Sequence, residues 1–122
     1  MKVILSKKFS EEIYYSKGLI RYIYRQEIGL TEEMASELLG ISDQYLLPNL
    51  RKMCEEYLVE CLTFGNLAQR VEEAEFYDAQ ILREGTLAFT VKNLERLNEY
   101  EGKDKLSKEF IVNVIKRLAK SS

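Results

Sequence analysis

The sequence predicts a mostly α-helical fold of stacked helical hairpins, with one short strand element at the N-terminal edge. Apolar residues recur at steps of three and four along most of the 122 residues, which is the spacing of one helix face. Glycine occurs six times and proline once, so few positions interrupt a helix. Residues 2–5 (KVIL) are apolar after the lysine and partly β-branched, and they form the one short run that favours a strand.

The first predicted helix covers residues 9–25. Ser10 is its expected N-cap, and the two acids that follow lie in the first turn, where they complement the helix dipole. Gly18 lies in the middle, where it lowers helix stability unless something packs closely against it. A short segment over residues 27–30 follows.

The next two helices form a predicted hairpin. Thr31 is the expected N-cap of the first, whose buried face consists of Met34, Leu38, Ile41 and Tyr45. The chain then turns, and Pro48 suits the first turn of the second helix. The apolar residues of that helix are Leu50, Met53, Cys54, Tyr57, Leu58 and Cys61.

Three further helices are predicted after residue 62. Thr63 is the expected N-cap of the first, and the second covers residues 79–97. Gly102 ends the second, and either Asp104 or Ser107 begins the last. The apolar positions of these helices are Leu67, Val71, Ala74, Leu82, Phe89, Leu94, Leu106, Phe110, Ile111, Val114, Ile115 and Leu118.

The two middle hairpins show an approximate internal repeat. Met34, Leu38 and Ile41 of the first hairpin recur in the second as Leu67, Val71 and Ala74. Leu50, Cys54 and Leu58 recur as Leu82, Thr86 and Thr90, at an offset that is one position shorter. Two interpretations are open: the hairpins are copies of one unit, or any two amphipathic hairpins of this length look alike.

Composition argues against nucleic-acid and membrane binding. Eighteen basic and 20 acidic residues leave a net charge of −2, without the basic excess that phosphate contacts require. No apolar run approaches the length of roughly 18 residues that a membrane span needs. The first residues lack the layout of a signal peptide, so we expect an intracellular protein, cytoplasmic or nuclear.

The sequence offers no pattern for catalysis, a cofactor or a metal. Histidine, the commonest general base, does not occur, and the glycines are scattered singly rather than clustered for phosphate binding. Cys54 and Cys61 are seven positions apart, which separates them by about 10 Å along a helix. That is too far for a disulfide, and we expect two buried thiols. We therefore expect a protein that is not an enzyme.

Residues 19–63 resemble the C-terminal half of BTB/POZ domains. The similar features are a Tyr22-Ile23-Tyr24 helix end, the short segment at 27–30, a D-x-Y-x-L pattern at Asp43, Tyr45 and Leu47, then Pro48, and an L-x-x-x-C-x-x-x-L helix at Leu50, Cys54 and Leu58. Residues 64–118 resemble the start of the BACK-type extension (3-box) of cullin adaptors, closest to the leucine-zipper-like regulator branch. The implied division is a BTB/POZ-like half at 1–62 and a BACK-like helical extension at 63–122, in one continuous compact unit.

The resemblance implies an adaptor of a cullin–RING ubiquitin ligase. Its partner would be the N-terminal domain of a cullin, and the surface would consist of Ser6, Phe9, Tyr45, Leu46, Leu47, Phe64 and Leu67. Ordinary core packing is the alternative for each of these residues, and for Leu47 and Leu67 the two interpretations have about equal weight.

Two other functions stay open. The elements that precede this half in complete BTB/POZ domains, including the hydrophobic-x-Glu motif used in cullin binding, have no counterpart in the sequence. The helix at 9–25 would then expose aromatic residues and pair two copies of the chain through Tyr14, Tyr15 and Tyr22. The third hypothesis is a helical-repeat module that binds a peptide in a concave groove.

Overall fold

Six α-helices and one 3-10 segment make up most of residues 30–121, the part of the chain that the computed structural model describes. The helices are α1 (Glu32–Gln44), α2 (Pro48–Glu60), α3 (Leu67–Phe76), α4 (Gln80–Lys92), α5 (Leu94–Leu97) and α6 (Lys108–Ser121), and the 3-10 segment is Glu101–Lys105. The helical fold class is thus confirmed. The predicted strand at 2–5 and the predicted helix at 9–25 lie outside the described residues.

The chain divides into two compact units, Met1–Leu58 and Val59–Ser122. The described residues of the first unit hold α1 and most of α2, and the second unit holds the remaining helices. The assignment of residues 1–62 and 63–122 to BTB/POZ-like and BACK-like segments stays a prediction.

Helix α1 begins as predicted but buries a different face. The Met34 N–H donates to Thr31 Oγ1 at 3.2 Å, which confirms Thr31 as the N-cap. The buried residues are Ala35, Leu38, Leu39 and Ser42, whereas Met34, Ile41 and Tyr45 are half-buried or exposed. The predicted face is therefore wrong by about one residue, because small side chains at 35 and 42 pack inward and apolarity alone does not reveal them.

Helix α2 follows the prediction more closely. It begins at Pro48 and buries Leu50, Met53, Cys54 and Leu58. Tyr57 and Cys61 are only half-buried, and the Tyr57 hydroxyl donates to the Leu30 carbonyl at 2.6 Å. Glu55 is buried as well, with Arg51 Nε 3.4 Å from its carboxylate, and apolar periodicity does not predict a buried acid.

Two predicted helix boundaries in the second unit are wrong. Helix α3 begins at Leu67, because Thr63 and Asn66 first bond to each other: the Thr63 N–H donates to Asn66 Oδ1 at 2.8 Å and the Asn66 N–H to Thr63 Oγ1 at 3.3 Å. The helix predicted at 79–97 is interrupted at Asn93, whose side-chain amide donates to the Phe89 carbonyl at 2.8 Å. In both places an asparagine side chain bonds to nearby backbone in competition with the helix.

Helices α3, α4 and α6 surround the core of the second unit. Its buried apolar residues are Leu67, Val71, Leu87, Leu106, Phe110 and Val114. Of the two predicted starts for the last helix, Ser107 is confirmed, since its Oγ accepts from the Phe110 N–H at 3.1 Å. The same hydroxyl donates to Glu75 at 2.5 Å and so ties the start of α6 to α3. Ile115, one of the apolar positions of this helix, is exposed.

Candidate protein-binding surface

The turn between α1 and α2, residues 45–47, presents two exposed apolar side chains. The Leu47 N–H donates to the Ser42 carbonyl at 2.9 Å and the Leu46 N–H to the Asp43 carbonyl at 3.4 Å. These are the two bonds of a Schellman motif, which places its C′ residue in the left-handed backbone region. That residue is Leu46, with φ 53°. It is 83% exposed and Tyr45 is 52% exposed, so the turn projects both toward solvent.

The turn between α3 and α4, residues 77–79, has the same backbone arrangement. The Ala79 N–H donates to the Ala74 carbonyl at 2.9 Å, and the Asp78 N–H donates to the Glu75 carbonyl at 3.4 Å. Asp78 has φ 50°, close to that of Leu46. Aspartate tolerates this region far better than leucine does, because its short polar side chain bonds locally. The α3–α4 turn therefore shows that an aspartate is compatible with the backbone conformation that Leu46 adopts in the α1–α2 turn.

The buried positions of the two hairpins follow the same spacing. Ala35, Leu38, Leu39 and Ser42 of α1 correspond in order to Leu67, Arg70, Val71 and Ala74 of α3. The sequence prediction paired Met34 with Leu67, whereas the structure pairs Ala35 with Leu67, so the predicted alignment of these helices is wrong by one residue. The corrected offset equals the one predicted for α2 and α4. Matching turns and matching buried faces favour copies of one hairpin unit over a general likeness between amphipathic helices.

The structure separates the sequence-predicted contact residues into two classes. Leu47 is 5% exposed and Leu67 is fully buried, so both side chains are part of the core. Phe64 is half-buried, with its ring centroid 5.1 Å from that of Phe89 and 5.2 Å from that of Tyr100. Tyr45 and Leu46 remain as the predicted residues that the structure brings together at an accessible surface. The other predicted contact residues lie outside the described residues: Ser6, Phe9, Tyr14, Tyr15 and Tyr22.

One accessible aromatic residue is not among the residues that the sequence predicts for a contact surface. Phe76, the last residue of α3, is 79% exposed. Comparison of the two hairpins could have revealed it, since Phe76 takes the place of the exposed Gln44 of α1. A helix-face analysis of α3 alone predicts only its buried positions.

The ionic groups around the α1–α2 turn hold its shape rather than perform chemistry. Arg51 Nη1 lies 3.1 Å from Asp43 Oδ1, which joins the end of α1 to the first turn of α2.

Burial raises the pKa of the Cys54 thiol to about 12, and the neighbouring Glu55 carboxylate contributes to the rise. That thiol is therefore no nucleophile near neutral pH. Within residues 30–121 no three Asp, Glu, Cys or His side chains come close enough to hold a metal ion.

Comparison with known families identifies the first part of the chain. The family model of the BTB/POZ domain matches residues 10–62, which include α1, the α1–α2 turn and α2. Residues 10–62 belong to the BTB/POZ family. The exposed Tyr45 and Leu46 are thus residues of a BTB/POZ segment, and proteins with such segments act in protein–protein interaction.

Curated relatives share more than the BTB/POZ segment. The chain is 26% identical over 96 residues to the Arabidopsis thaliana "ARM repeat protein interacting with ABF2" (79% of this chain) and 32% identical over 98 residues to the Xenopus laevis "Inhibitor of Bruton tyrosine kinase" (76%). It is 30% identical over 104 residues to the Drosophila melanogaster "BTB/POZ domain-containing protein 9" (83%). Residues 1–62 make up about half of the chain, so each of these alignments also includes part of α3–α6.

These relatives are much longer proteins. The chain spans 14% of the Arabidopsis protein, 7% of the Xenopus protein and 14% of the Drosophila protein. None of the three names describes an enzyme. No solved structure matches the chain. Between residues 30 and 121, no helix combines the length and apolarity needed to cross a membrane.

Proposed function

We propose that the chain is an interaction module that recruits the N-terminal domain of a cullin to a cullin–RING ubiquitin ligase. The BTB/POZ match over residues 10–62 supports a protein-binding role. The cullin as partner, and a BACK-type extension at 63–122, rest on the resemblance of the sequence to cullin adaptors. Alignments that continue past residue 62 support the extension.

The exposure of Leu46 is the observation that best supports this proposal. A leucine in the left-handed region costs the fold roughly 1 kcal/mol relative to a residue suited to it. The exposed side chain also leaves its apolar surface in water. The α3–α4 turn shows that an aspartate closes the same backbone turn. The turn therefore does not need a leucine at position 46, since a polar residue closes the same backbone turn. A partner protein that buries the Leu46 side chain would explain why an apolar residue lies there, beside Tyr45.

Calorimetric titration with the N-terminal domain of the BTB-partner cullin tests the proposal. We expect binding by the natural chain and a loss of at least about tenfold in affinity for Leu46→Asp, since burying an unpaired carboxylate in an interface costs more than about 1 kcal/mol. Leu46→Asp places in the first turn the residue that the second turn already uses, so the fold should tolerate it. Leu47 is unsuitable for this purpose because a charge there would enter the core.

Ile115→Asp is the matched control, because Ile115 is an exposed aliphatic residue of α6, far along the chain from the α1–α2 turn. It should bind the cullin domain like the natural chain. Absence of heat for the natural chain at high micromolar concentration, or equal binding by Leu46→Asp, would exclude cullin recruitment through this turn.

Self-association is the second candidate function. Exposed apolar side chains such as Leu46 and Phe76 can also meet those of another copy. Light scattering distinguishes the two: a monomer that binds the cullin domain supports the adaptor, whereas a dimer that binds no cullin supports a structural unit. Pairing through Tyr14, Tyr15 and Tyr22 stays a prediction.

A further inference from the structure

An open cleft of about 370 Å³ lies beside Phe76 at the C-terminal end of α3. Gln69, Glu72, Glu73, Phe76 and Tyr77 line it. The rings of Phe76 and Tyr77 meet edge to face, with centroids 4.9 Å apart and planes at 87°. Two aromatic rings and two carboxylates therefore line the same cleft.

The fold does not require an aromatic residue at position 76. The equivalent residue of the first hairpin is Gln44, which is also exposed and also ends its helix one residue before a tyrosine C-cap. A glutamine therefore suits the same position before the same turn. Phe76 leaves 79% of its surface in water, an exposure that stabilises nothing within the chain.

Of the two carboxylates that line the cleft, one is paired with an arginine and the other is not. Arg70 Nη1 lies 2.6 Å from Glu73 and neutralises that residue. Glu72 is exposed and forms no ion pair or hydrogen bond in the part of the chain that the structure describes. A second open cleft of about 640 Å³ shares Gln69 and Glu72 as walls and adds Tyr100, Glu101 and Lys105. With the Arg70–Glu73 pair set aside, Glu72, Glu101 and Lys105 leave one net negative charge among the residues that line the two clefts, and the aromatic side chains of Phe76, Tyr77 and Tyr100 line them as well.

We propose that these two adjoining clefts bind a basic, extended segment of a partner protein. The aliphatic stem of a lysine or arginine packs on Phe76 while its charge lies near Glu72, since such side chains bury their stems and keep their heads polar. A cation near the Phe76 ring face gains further from the ring quadrupole. The site lies wholly within the second unit and shares no residue with the α1–α2 turn, so it does not depend on cullin binding.

Fluorescence anisotropy with a short labelled peptide of alternating arginine and leucine tests the proposal on the full chain. A peptide with glutamate in place of arginine is the control probe. We expect the basic peptide to bind with a Kd below about 1 mM, and the acidic peptide not to bind. Added salt should weaken binding, because screening reduces the attraction between exposed charges.

Two substitutions locate the site. Phe76→Gln installs the residue of the first hairpin and should raise the Kd about three- to fivefold, the loss expected for one exposed cation–π contact. Glu72→Gln should raise it about two- to fivefold, the range of an exposed ion pair. Ile115→Gln and Glu95→Gln are matched controls, being an exposed aliphatic and an exposed acid away from the clefts, and should leave the Kd unchanged.

The proposal would be overturned if all four variants bound the basic peptide with the Kd of the natural chain, or if the two control substitutions raised the Kd as much as Phe76→Gln and Glu72→Gln do. Either result would indicate general attraction of the peptide to an acidic protein. A dimer that Phe76→Gln dissociates would also overturn it, because a second copy would then occupy the clefts. Leu46→Asp should bind the basic peptide normally. That result separates this proposal from the cullin proposal, so either can fail without the other.

Discussion

At the residue scale, the two left-handed turn positions show how one backbone requirement accommodates different chemistry. Leu46 and Asp78 have φ values of 53° and 50° and lie within the same pattern of backbone hydrogen bonds. Asparagine, aspartate and glycine suit this region, and leucine is strained in it. The two turns therefore share this φ angle and these hydrogen bonds, and they differ in the side chain that the left-handed residue presents.

Replacing Leu46 by asparagine should stabilise the fold. Asparagine relieves the strain of the left-handed conformation and removes an exposed apolar side chain, so we expect a gain of about 0.5–1 kcal/mol in the free energy of unfolding. Urea denaturation followed by circular dichroism measures it. Leu94→Asn, at an exposed helical leucine, is the control and should be neutral or destabilising, since asparagine is the poorer helix former. A lower midpoint for Leu46→Asn would mean that Leu46 packs within the fold.

At the element scale, helix α4 has a close contact that only glycine allows. A Cβ at Gly85 would lie 2.4 Å from Val59 Cγ2 and 2.9 Å from Val59 Cγ1. Because both methyl groups of the valine are involved, rotation of its side chain does not clear the space. The mid-helix glycine, which lowers helix propensity, is thus required by the packing of its own unit.

Gly85→Ala should therefore destabilise the fold by about 1–3 kcal/mol, the usual cost of overpacking, even though alanine favours the helix by about 1 kcal/mol. Val59→Ala removes both methyl groups and should restore most of the loss in the double variant. A double-mutant cycle of unfolding free energies measures the coupling. Additive effects of the two substitutions would show that position 85 has room for a methyl group.

The hairpins also show why helix starts are harder to predict than helices. Thr31 and Thr63 occupy equivalent positions of the two hairpins, and each hydroxyl accepts from the backbone N–H three positions later. After Thr31 the helix begins at once, but after Thr63 the Asn66 side chain bonds back to the Thr63 N–H and the helix begins only at Leu67. Both threonines have the same local role, and a neighbouring asparagine shifts the boundary.

At the scale of the whole molecule, the buried thiol of Cys54 links global stability to alkaline pH. Burial raises its pKa from 9.0 to about 12, so the folded chain keeps the proton that the unfolded chain releases above pH 9. Stability should therefore fall as the pH rises from about 9 to 12, by about 1.4 kcal/mol per pH unit from this group. Below pH 9 both states hold the proton and the group contributes no pH dependence.

Comparison with Cys54→Ala isolates that contribution. The alanine variant should be less stable at pH 8, because it lacks the buried sulfur atom. The difference in the free energy of unfolding between the natural chain and this variant should shrink between pH 9 and 10.5. Urea denaturation at each pH measures the free energy of unfolding of both proteins, and any pH dependence that the two proteins share cancels in the difference. A constant difference over this range would show that the Cys54 thiol titrates normally.

The sequence by itself determined the helical class, the BTB/POZ resemblance and several helix starts. Thr31, Pro48 and Ser107 act through bonds or steric effects within one helical turn, so local residues suffice to predict them. The exposed pair Tyr45 and Leu46 was named among the candidates, but beside Leu47 and Leu67, which are buried. Sequence could not separate these classes, because apolarity is the same for a core leucine and a contact leucine.

Only the tertiary structure decided which apolar residues face solvent. The direction of the chain through residues 45–47 turns Leu46 outward and Leu47 inward, and that direction follows from the hydrogen bonds that close α1. Likewise, the packed face of α3 leaves Phe76 at the rim of a cleft, beside Glu72. Local bonds set where helices begin and how a turn directs its side chains. Which of those side chains are covered also depends on contacts between residues distant in sequence, and a single sequence does not encode those contacts in any local pattern.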